Sequence, residues 1–299
     1  MKKSITRNGV NLEEILRCPT CMEGNCKFIQ DVIICSNCKS NFDFKGNVPV
    51  LLDMEASPEI KELISKQSWE GYDIENVGNK AAGYFYNKKS IWQKLSPKYR
   101  VQVGPTYTEF FKKYYINGRV LDLGGGPNSL NKIGMVNLDV NDYPTVDIIG
   151  DARRMPFSNN SFDAIISNSM LEHIWEVDKV VSESYRITKS GGFVFFGVPL
   201  ICARHHTKDF HRWTLPGLEK LFEKFEVVEK GTILGPGMYL HHIVINMITS
   251  CFGNNVLSNL TKLIMAYILF PVRFLDYLGR GTKEFESYSH TIYIIAKKH

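Results

Sequence analysis

Short, largely apolar runs alternate with amphipathic stretches through the second half of the chain. Val120–Leu123, Met135–Val140, Val146–Gly150, Phe162–Asn168 and Phe193–Val198 are bounded by turn residues and read as strands buried on both faces. Phe225–Thr232 and Thr291–Lys298 supply two more. Between the fourth and fifth runs, Val177, Val180, Val181 and Tyr185 recur at helical spacing. Ser169-Met170-Leu171-Glu172 in front of them reads as a capping box, and Ser190-Gly191-Gly192 as the stop. A second helix is expected after Thr214, with Leu215, Leu218, Leu221, Phe222 and Phe225 on one face. Strand alternating with helix predicts a doubly wound α/β fold built on a parallel sheet.

The first half has a different texture. Residues 1–14 read as a polar tail and 15–52 as a cysteine-rich unit. Residues 53–98 read as a linker or lid with one helix after Ser57-Pro58-Glu59, and 99–299 as the main domain. A helical insertion at about 238–285 precedes the last strand. Its apolar positions crowd Ile243–Ile248 and Leu263–Val272, broken by Gly253-Asn254-Asn255 and Pro271, so neither run reaches the ~20 residues of a membrane span. Two amphipathic helices over 239–279 are expected, either capping the sheet or making peripheral contact with a membrane surface.

Composition narrows the class without naming it. With 299 residues, 44% hydrophobic and 22% charged, disorder and fibrous repeats are excluded, and a formal charge of +5 does not announce a nucleic-acid binder. The polar stretch after Met1-Lys2-Lys3 is no secretory leader, so the expected location is cytoplasmic, with reduced thiols. Seven cysteines occur, five of them between Cys18 and Cys38, a clustering that suits metal binding.

Cys18-Pro-Thr-Cys21 and Cys35-Ser-Asn-Cys38 are two C-x-x-C knuckles with 13 residues between them, enough for a hairpin turning near Asp31. Two thiolates three residues apart on a tight turn can reach one ion at about 2.3 Å, and two such turns close a tetrahedral site. The pattern resembles a zinc ribbon, which implies a structural Zn2+ held by Cys18, Cys21, Cys35 and Cys38. Cys26 reads as a small buried residue instead. A closed four-sulfur site leaves no position for water and so performs no chemistry.

Val120-Leu-Asp122-Leu123-Gly124-Gly125-Gly126-Pro-Asn128 is a strand running into a glycine turn. Asp139 closes the next strand, where a carboxylate can hold a ribose diol, and Asp151 follows the third. In order along residues 119–235 come Asp-x-Gly-x-Gly, Asp139, Gly150-Asp151-Ala152 with Met155-Pro156-Phe157, Ser161-Phe162-Asp163, Leu171-Glu172-His173 and Ser190-Gly191-Gly192. The series resembles the class I S-adenosylmethionine-dependent methyltransferases, whose sheet has seven strands in a Rossmann-like arrangement. The resemblance implies that Asp122, Leu123, Gly124, Gly125 and Gly126 face the methionyl part of S-adenosyl-L-methionine. It puts Asp139 and Val140 at the ribose, Asp151 and Ala152 at the adenine, and Asn168 near the methyl donor, with S-adenosyl-L-homocysteine as product. Only 15 positions separate Gly124 from Asp139, so the crossover between them must be short or irregular.

Methyl transfer is an in-line displacement that needs alignment and, for a hydroxyl acceptor, a base. His205, His206, Asp209 and His211 form a dense titratable group after the fifth strand and are the candidate bases; any one of them can equally be structural or orienting. His173 reads as a packing residue. Gly197-Val-Pro199-Leu and Asp209-Phe-His211-Arg212-Trp213-Thr214 resemble methyltransferases of bacterial surface-polysaccharide synthesis. Asn168 is followed by Ser-Met-Leu, unlike the Pro-Pro-aromatic sequence of amino-directed base methyltransferases. The expected reaction is therefore O-methylation of a carbohydrate or glycolipid-type acceptor. One alternative is RNA. Lys80, Lys88, Lys89, Lys94, Lys98, Arg100, Lys112 and Lys113, interleaved with aromatics, suit a single strand, a phosphate-bearing carrier or a solvated face. The other is a non-catalytic binding protein that keeps the fold. Oligomeric state is left open by the sequence.

Overall fold

The computed structural model describes residues 4–53, 55–56, 60, 95, 101–130, 132–251 and 256–299. The helix expected after Ser57 and the basic residues Lys80 to Arg100 lie outside them. A hairpin, β1 (Cys26–Ile29) and β2 (Val32–Cys35), turns at Gln30-Asp31, with Gln30 at φ +54°, and β3 (Asn41–Phe42) completes a three-stranded antiparallel sheet. β4 (Phe44–Lys45) and β5 (Val48–Leu51) follow, and after α1 (Tyr107–Lys113) come β6 (Val120–Leu123), β7 (Met135–Asp139), β8 (Ile148–Gly150) and β9 (Phe162–Asn168). Next are α2 (Val177–Ile187), β10 (Thr188–Pro199), α3 (Leu215–Leu221) and β11 (Glu226–Leu234). The insertion contributes α4 (Pro236–Ser250), α5 (Val256–Ile268), α6 (Leu275–Gly279) and α7 (Lys283–Ser287) before β12 (Thr291–Lys297).

The main sheet has nine strands in the order β11-β12-β10-β9-β6-β7-β8-β5-β4. The strands from β10 to β5 are parallel, and β12 runs antiparallel between β10 and β11. All seven expected strands are present, and β5 and β4 extend the sheet from the N-terminal side. The extension has a backbone reason: β8 would otherwise present an unpaired edge, and Val50 and Leu51 pair with Ile149 and Gly150 to cover it. The cysteine-rich segment is thus built into the sheet through its last strand.

Alternation along the strands sends side chains to two faces. Leu121, Leu123, Val136, Leu138 and Ile165 join α2, α3 and the N-terminal segment in one core, whereas Val120, Met135, Ala164 and Ile166 pack with Phe110 and Phe111 of α1. Ile15, Leu16, Cys18, Cys26 and Cys35 belong to the first of these cores. Leu16 bridges to Phe157, and the Arg154 guanidinium donates to the carbonyls of Pro19 and Thr20.

Several local expectations are corrected. The segment before residue 15 is no free tail: Val10 and Leu12 are buried, and Asn8 donates to the Met135 carbonyl at 3.2 Å. Ser169 does not cap a helix. Its φ is +54°, its N–H goes to the Gly197 carbonyl, and the chain makes a 3-10 turn over Leu171–His173 before α2 begins at Val177. That helix ends at Ile187, and Ser190-Gly191-Gly192 forms an irregularity inside β10. Thr214 caps α3 as expected.

The insertion packs chiefly on itself. Buried Asp276 accepts from the N–H groups of Gly237 (2.7 Å) and Met238 (3.1 Å), closing the start of α4 from 39 residues away, and buried Arg273 donates to His241 at 3.0 Å. Leu257, Ile264, Ile268 and Leu278 stay exposed, Leu278 to 83%. No single described helix is long and apolar enough to cross a membrane.

Candidate active site and metal centres

The acids and glycines expected at the cofactor, Asp122, Gly124–Gly126, Asp139 and Asp151, lie at the C-terminal edge of the parallel strands. Neighbouring β6 and β9 leave the sheet on opposite sides, at the switch point where open α/β sheets take ligands. Asp122, Leu123 and Gly124–Gly126 end β6, Asp139 and Val140 end β7, Asp151 and Ala152 follow β8, and Asn168 ends β9.

The glycine turn is held open by its own chemistry. Gly124 and Gly126 sit at φ +68° and +56°, in the left-handed region that favours glycine. A Cβ on Gly124 would lie 2.4 Å from Met170 Cγ, and one on Gly125 would lie 2.6 Å from the Asp122 carboxylate. The Gly126 peptide is gripped at both ends: its N–H donates to Asp139 Oδ2 at 3.1 Å, and its carbonyl accepts from Asn137 Nδ2 at 3.1 Å and from the Thr145 hydroxyl. The crossover after it is a single 3-10 turn, Gly126–Asn128, as the short spacing required.

Carboxylates here are buried and costly to ionise. Burial pushes Asp122 up to about 6, against hydrogen bonds from Ser129 and Leu130 that favour its charged form. Asp139 is also raised by burial, opposed by the N–H groups of Asn141 and Gly126, and its second oxygen accepts from Asn141 N at 2.8 Å. Asp151 faces Arg153, whose Nη2 lies 2.8 Å from Oδ2 and whose other nitrogen binds Glu176. Asn168 is exposed and lies against Gly197, where a Cβ would meet its Oδ1 at 2.3 Å.

On the same rim, the loop after β10 meets the 3-10 turn after β9. The Phe210 N–H donates to the Glu172 carbonyl at 2.7 Å and ties the two segments together. Asp209 is held well below the usual carboxylate range by Arg212, chiefly through their hydrogen bonds, one of them 2.8 Å long, and so is unsuited to take a proton. His205 Nε2 lies 3.3 Å from His173 Nε2, and the rings of His173 and His206 stand edge to face at 5.1 Å. Burial lowers His173 to about 4 and also lowers His206. His211 is apart from this group: it stacks on Trp175 at 5.5 Å and bonds the Trp175 carbonyl. Glu172 and His173 are the residues whose place sequence reasoning missed. The available signal was a glutamate inside the apolar Met170-Leu171 turn, where a charged group has little reason to be.

The cysteine sulfurs form a second centre. Cys18–Cys38 and Cys21–Cys35 are 3.6 and 3.7 Å apart, and the four sulfurs all lie within 4.8 Å of one another. A tetrahedron with zinc–sulfur bonds of about 2.3 Å has edges of about 3.8 Å, so the set fits zinc. Gly24 and Asn37 donate backbone N–H groups to Cys21 and Cys35 at 3.4 and 3.3 Å, as thiolate ligands require. Buried Cys26 stands outside the four.

Part of the main domain is similar to known proteins. Residues 121–196 match the methyltransferase domain family Methyltransf_11. Over these residues the chain is similar to S-adenosylmethionine-dependent methyltransferases. It is similar to a demethylmenaquinone methyltransferase of Renibacterium salmoninarum, 39% identical over 61 residues, covering 20% of this chain and 26% of that protein. It is also similar to one of Streptomyces avermitilis, 33% identical over 75 residues, covering 25% and 30%. The chain spans about a third or less of the length of these curated relatives. Among solved structures, phosphoethanolamine N-methyltransferase 2 of Haemonchus contortus, in complex with S-adenosyl-L-methionine, is 17% identical. It covers 61% of this chain and 49% of that one at a TM-score of 0.40.

Proposed function

We propose that the protein transfers the methyl group of S-adenosyl-L-methionine to a hydroxyl of a carbohydrate-type acceptor carried on a lipid. The observation that carries the acceptor reading is the aromatic platform beside the imidazole cluster. Trp175 is 69% exposed, with Phe210 edge to face at 5.7 Å and His211 stacked on it. Exposed rings on a reaction rim suit the apolar faces of a sugar. The acceptor's O–H becomes an O–C bond, the S–C bond breaks, and the proton passes to His211 Nδ1, the ring nitrogen left to accept while Nε2 donates to the Trp175 carbonyl. The lipid part fits a cleft of about 380 Å³ lined by Ile201, Leu240, Ile243, Val272, Leu275 and Tyr288, which opens behind the same loop. Leu275 of α6 lines that cleft and is exposed, and with the exposed apolar residues of α5 and Leu278 it suits peripheral contact with a membrane. In this reading the four cysteines hold a structural zinc that supports the fold.

A second reading is favoured by the same cleft and by the relatives' names: methyl transfer to a prenylated quinol. One experiment separates the two. The purified chain, radiolabelled S-adenosyl-L-methionine and a cell-envelope extract are incubated, and label is followed into glycolipid, quinone and RNA fractions. Label in glycolipid, lost in Trp175→Ala with S-adenosyl-L-homocysteine binding kept, is the expected result. Label in the quinone or the RNA fraction overturns the carbohydrate reading, and no label with intact cofactor binding overturns turnover on these acceptors.

A further inference from the structure

We infer that Glu172, His173 and His205 form a binding site for one divalent transition-metal ion, separate from the four-cysteine centre. The side-chain atoms Glu172 Oε, His173 Nε2 and His205 Nε2 lie within 4.8 Å of one another. The two imidazole nitrogens are 3.3 Å apart, and Glu172 Oε1 is 3.9 and 3.8 Å from them. A tetrahedral ion with ligands at about 2.0–2.1 Å has edges of about 3.3–3.4 Å. The nitrogen pair already has that spacing, and the carboxylate is about half an ångström from it.

Proton placement makes the argument sharper. His173 Nδ1 is 2.6 Å from the Lys208 carbonyl, and His205 Nδ1 faces Asp209 Oδ2 and the Ala203 carbonyl, each at 3.3 Å. A carbonyl only accepts, so each Nδ1 carries the proton and each Nε2 presents a lone pair. Two lone pairs then face each other at hydrogen-bond distance beside a carboxylate that is 0% exposed. Neither Glu172 oxygen has a hydrogen-bond partner among the described residues. Three electron-pair donors aimed at one point need a cation. A proton shared by the two nitrogens would leave both carboxylate oxygens unsatisfied, whereas a metal ion satisfies all three groups. The Nδ1 contacts are the outer-shell partners that fix metal-binding histidines, and a donor set of two imidazoles and one carboxylate suits zinc, manganese or iron(II).

Three protein ligands leave the ion an open position. The site sits two residues beyond Met170, the side chain that packs on Gly124 of the cofactor turn. An acceptor hydroxyl bound there would lose its proton more readily and face the methyl donor. That consequence rests on the proposed reaction, but the metal site does not.

The test uses the full chain, stripped of metal and titrated with Zn2+ alone, with bound metal counted by elemental analysis. S-adenosyl-L-homocysteine binding is measured in parallel as a check of folding. The expected stoichiometry is two zinc ions per chain, falling to one in Glu172→Gln and in His205→Ala with cofactor-product binding retained. Asp209→Asn, which removes an outer-shell partner, should weaken the second zinc about 10–100-fold without removing it. One zinc per wild-type chain at saturation overturns the site, and so does a second zinc that survives both ligand substitutions. Because metal is counted without turnover, an enzyme that binds two ions and methylates nothing would refute the proposed reaction and leave this site standing.

Discussion

Asp122 is placed where burial makes its charge costly. Its carboxyl is buried and raised to about 6 from 3.8. At 1.36 kcal/mol per unit, that shift amounts to about 3 kcal/mol. The sign follows from linkage: with the folded value above the unfolded one, the favourable contribution is whole below about pH 4 and lost as pH rises through about 6. Asp122→Asn removes the titration, so its stability relative to wild type should increase with pH. Some of the loss has already occurred by pH 5. The expected increment between pH 5 and pH 8 is therefore about 1.4 kcal/mol, read as the change in the difference between variant and wild type. Any pH-independent effect of the amide cancels in that comparison. Urea unfolding of both proteins at pH 5, 6, 7 and 8 measures it. A difference flat to within about 0.5 kcal/mol would refute the raised carboxyl. The same logic ties stability to function: a cationic sulfonium or ammonium beside Asp122 would offset the buried charge. Wild-type affinity for S-adenosyl-L-methionine should thus rise through pH 6, and the variant's should not.

Further expectations follow from single contacts. Gly124→Ala forces a left-handed alanine into the space of Met170 and should cost about 1–2 kcal/mol in unfolding free energy, with weaker cofactor binding; an unchanged melting curve would mean the turn is not strained by a side chain. Cys35→Ser should lower zinc content by one ion per chain and destabilise the whole protein, because Cys35 lies in the shared core; full zinc retention would remove the four-cysteine centre. Arg154→Ala removes donors to Pro19 and Thr20 and an ion pair to Asp53, and should expose the cysteine-rich segment to limited proteolysis at a cost of about 1–2 kcal/mol. Wild-type protein should co-sediment with anionic lipid vesicles, and Ile264→Asp with Ile268→Asp should not; wild-type protein left in the supernatant would rule out membrane contact through α5.

What could be read in advance was whatever the chain writes locally. A strand buried on both faces writes a run of apolar residues, a pair of metal-spaced thiols writes C-x-x-C, and a tight left-handed turn writes glycine. These fall within a few residues of one another, so β6 to β9, the four-sulfur set and the turn at Gly124–Gly126 were legible. The residues misjudged are those whose surroundings arrive from elsewhere. Val10 and Leu12 are too few to advertise a core, yet the core beneath one face of the sheet takes them in. Ser169 has the composition of a cap, but its N–H is taken by Gly197 from the neighbouring strand, and Glu172 turns inward instead of reaching back. Val48–Leu51 reads as the tail of a cysteine-rich unit until the open edge of β8 is set beside it.

The imidazole cluster extends this argument to chemistry. His205, Asp209 and His211 drew notice because they crowd one loop, but crowding in sequence is a poor guide to convergence in space. Asp209 is spent on Arg212, and His211 turns out to Trp175. The partners that His205 meets, Glu172 and His173, come from 33 and 32 residues earlier, just after the end of the adjacent strand. Parallel strands make this general: β9 and β10 deliver their C-terminal loops side by side, so a site assembled from both is split by one full helix in the sequence. A reader of such sequences should therefore pair the polar residues that follow consecutive strands before pairing those that follow one another.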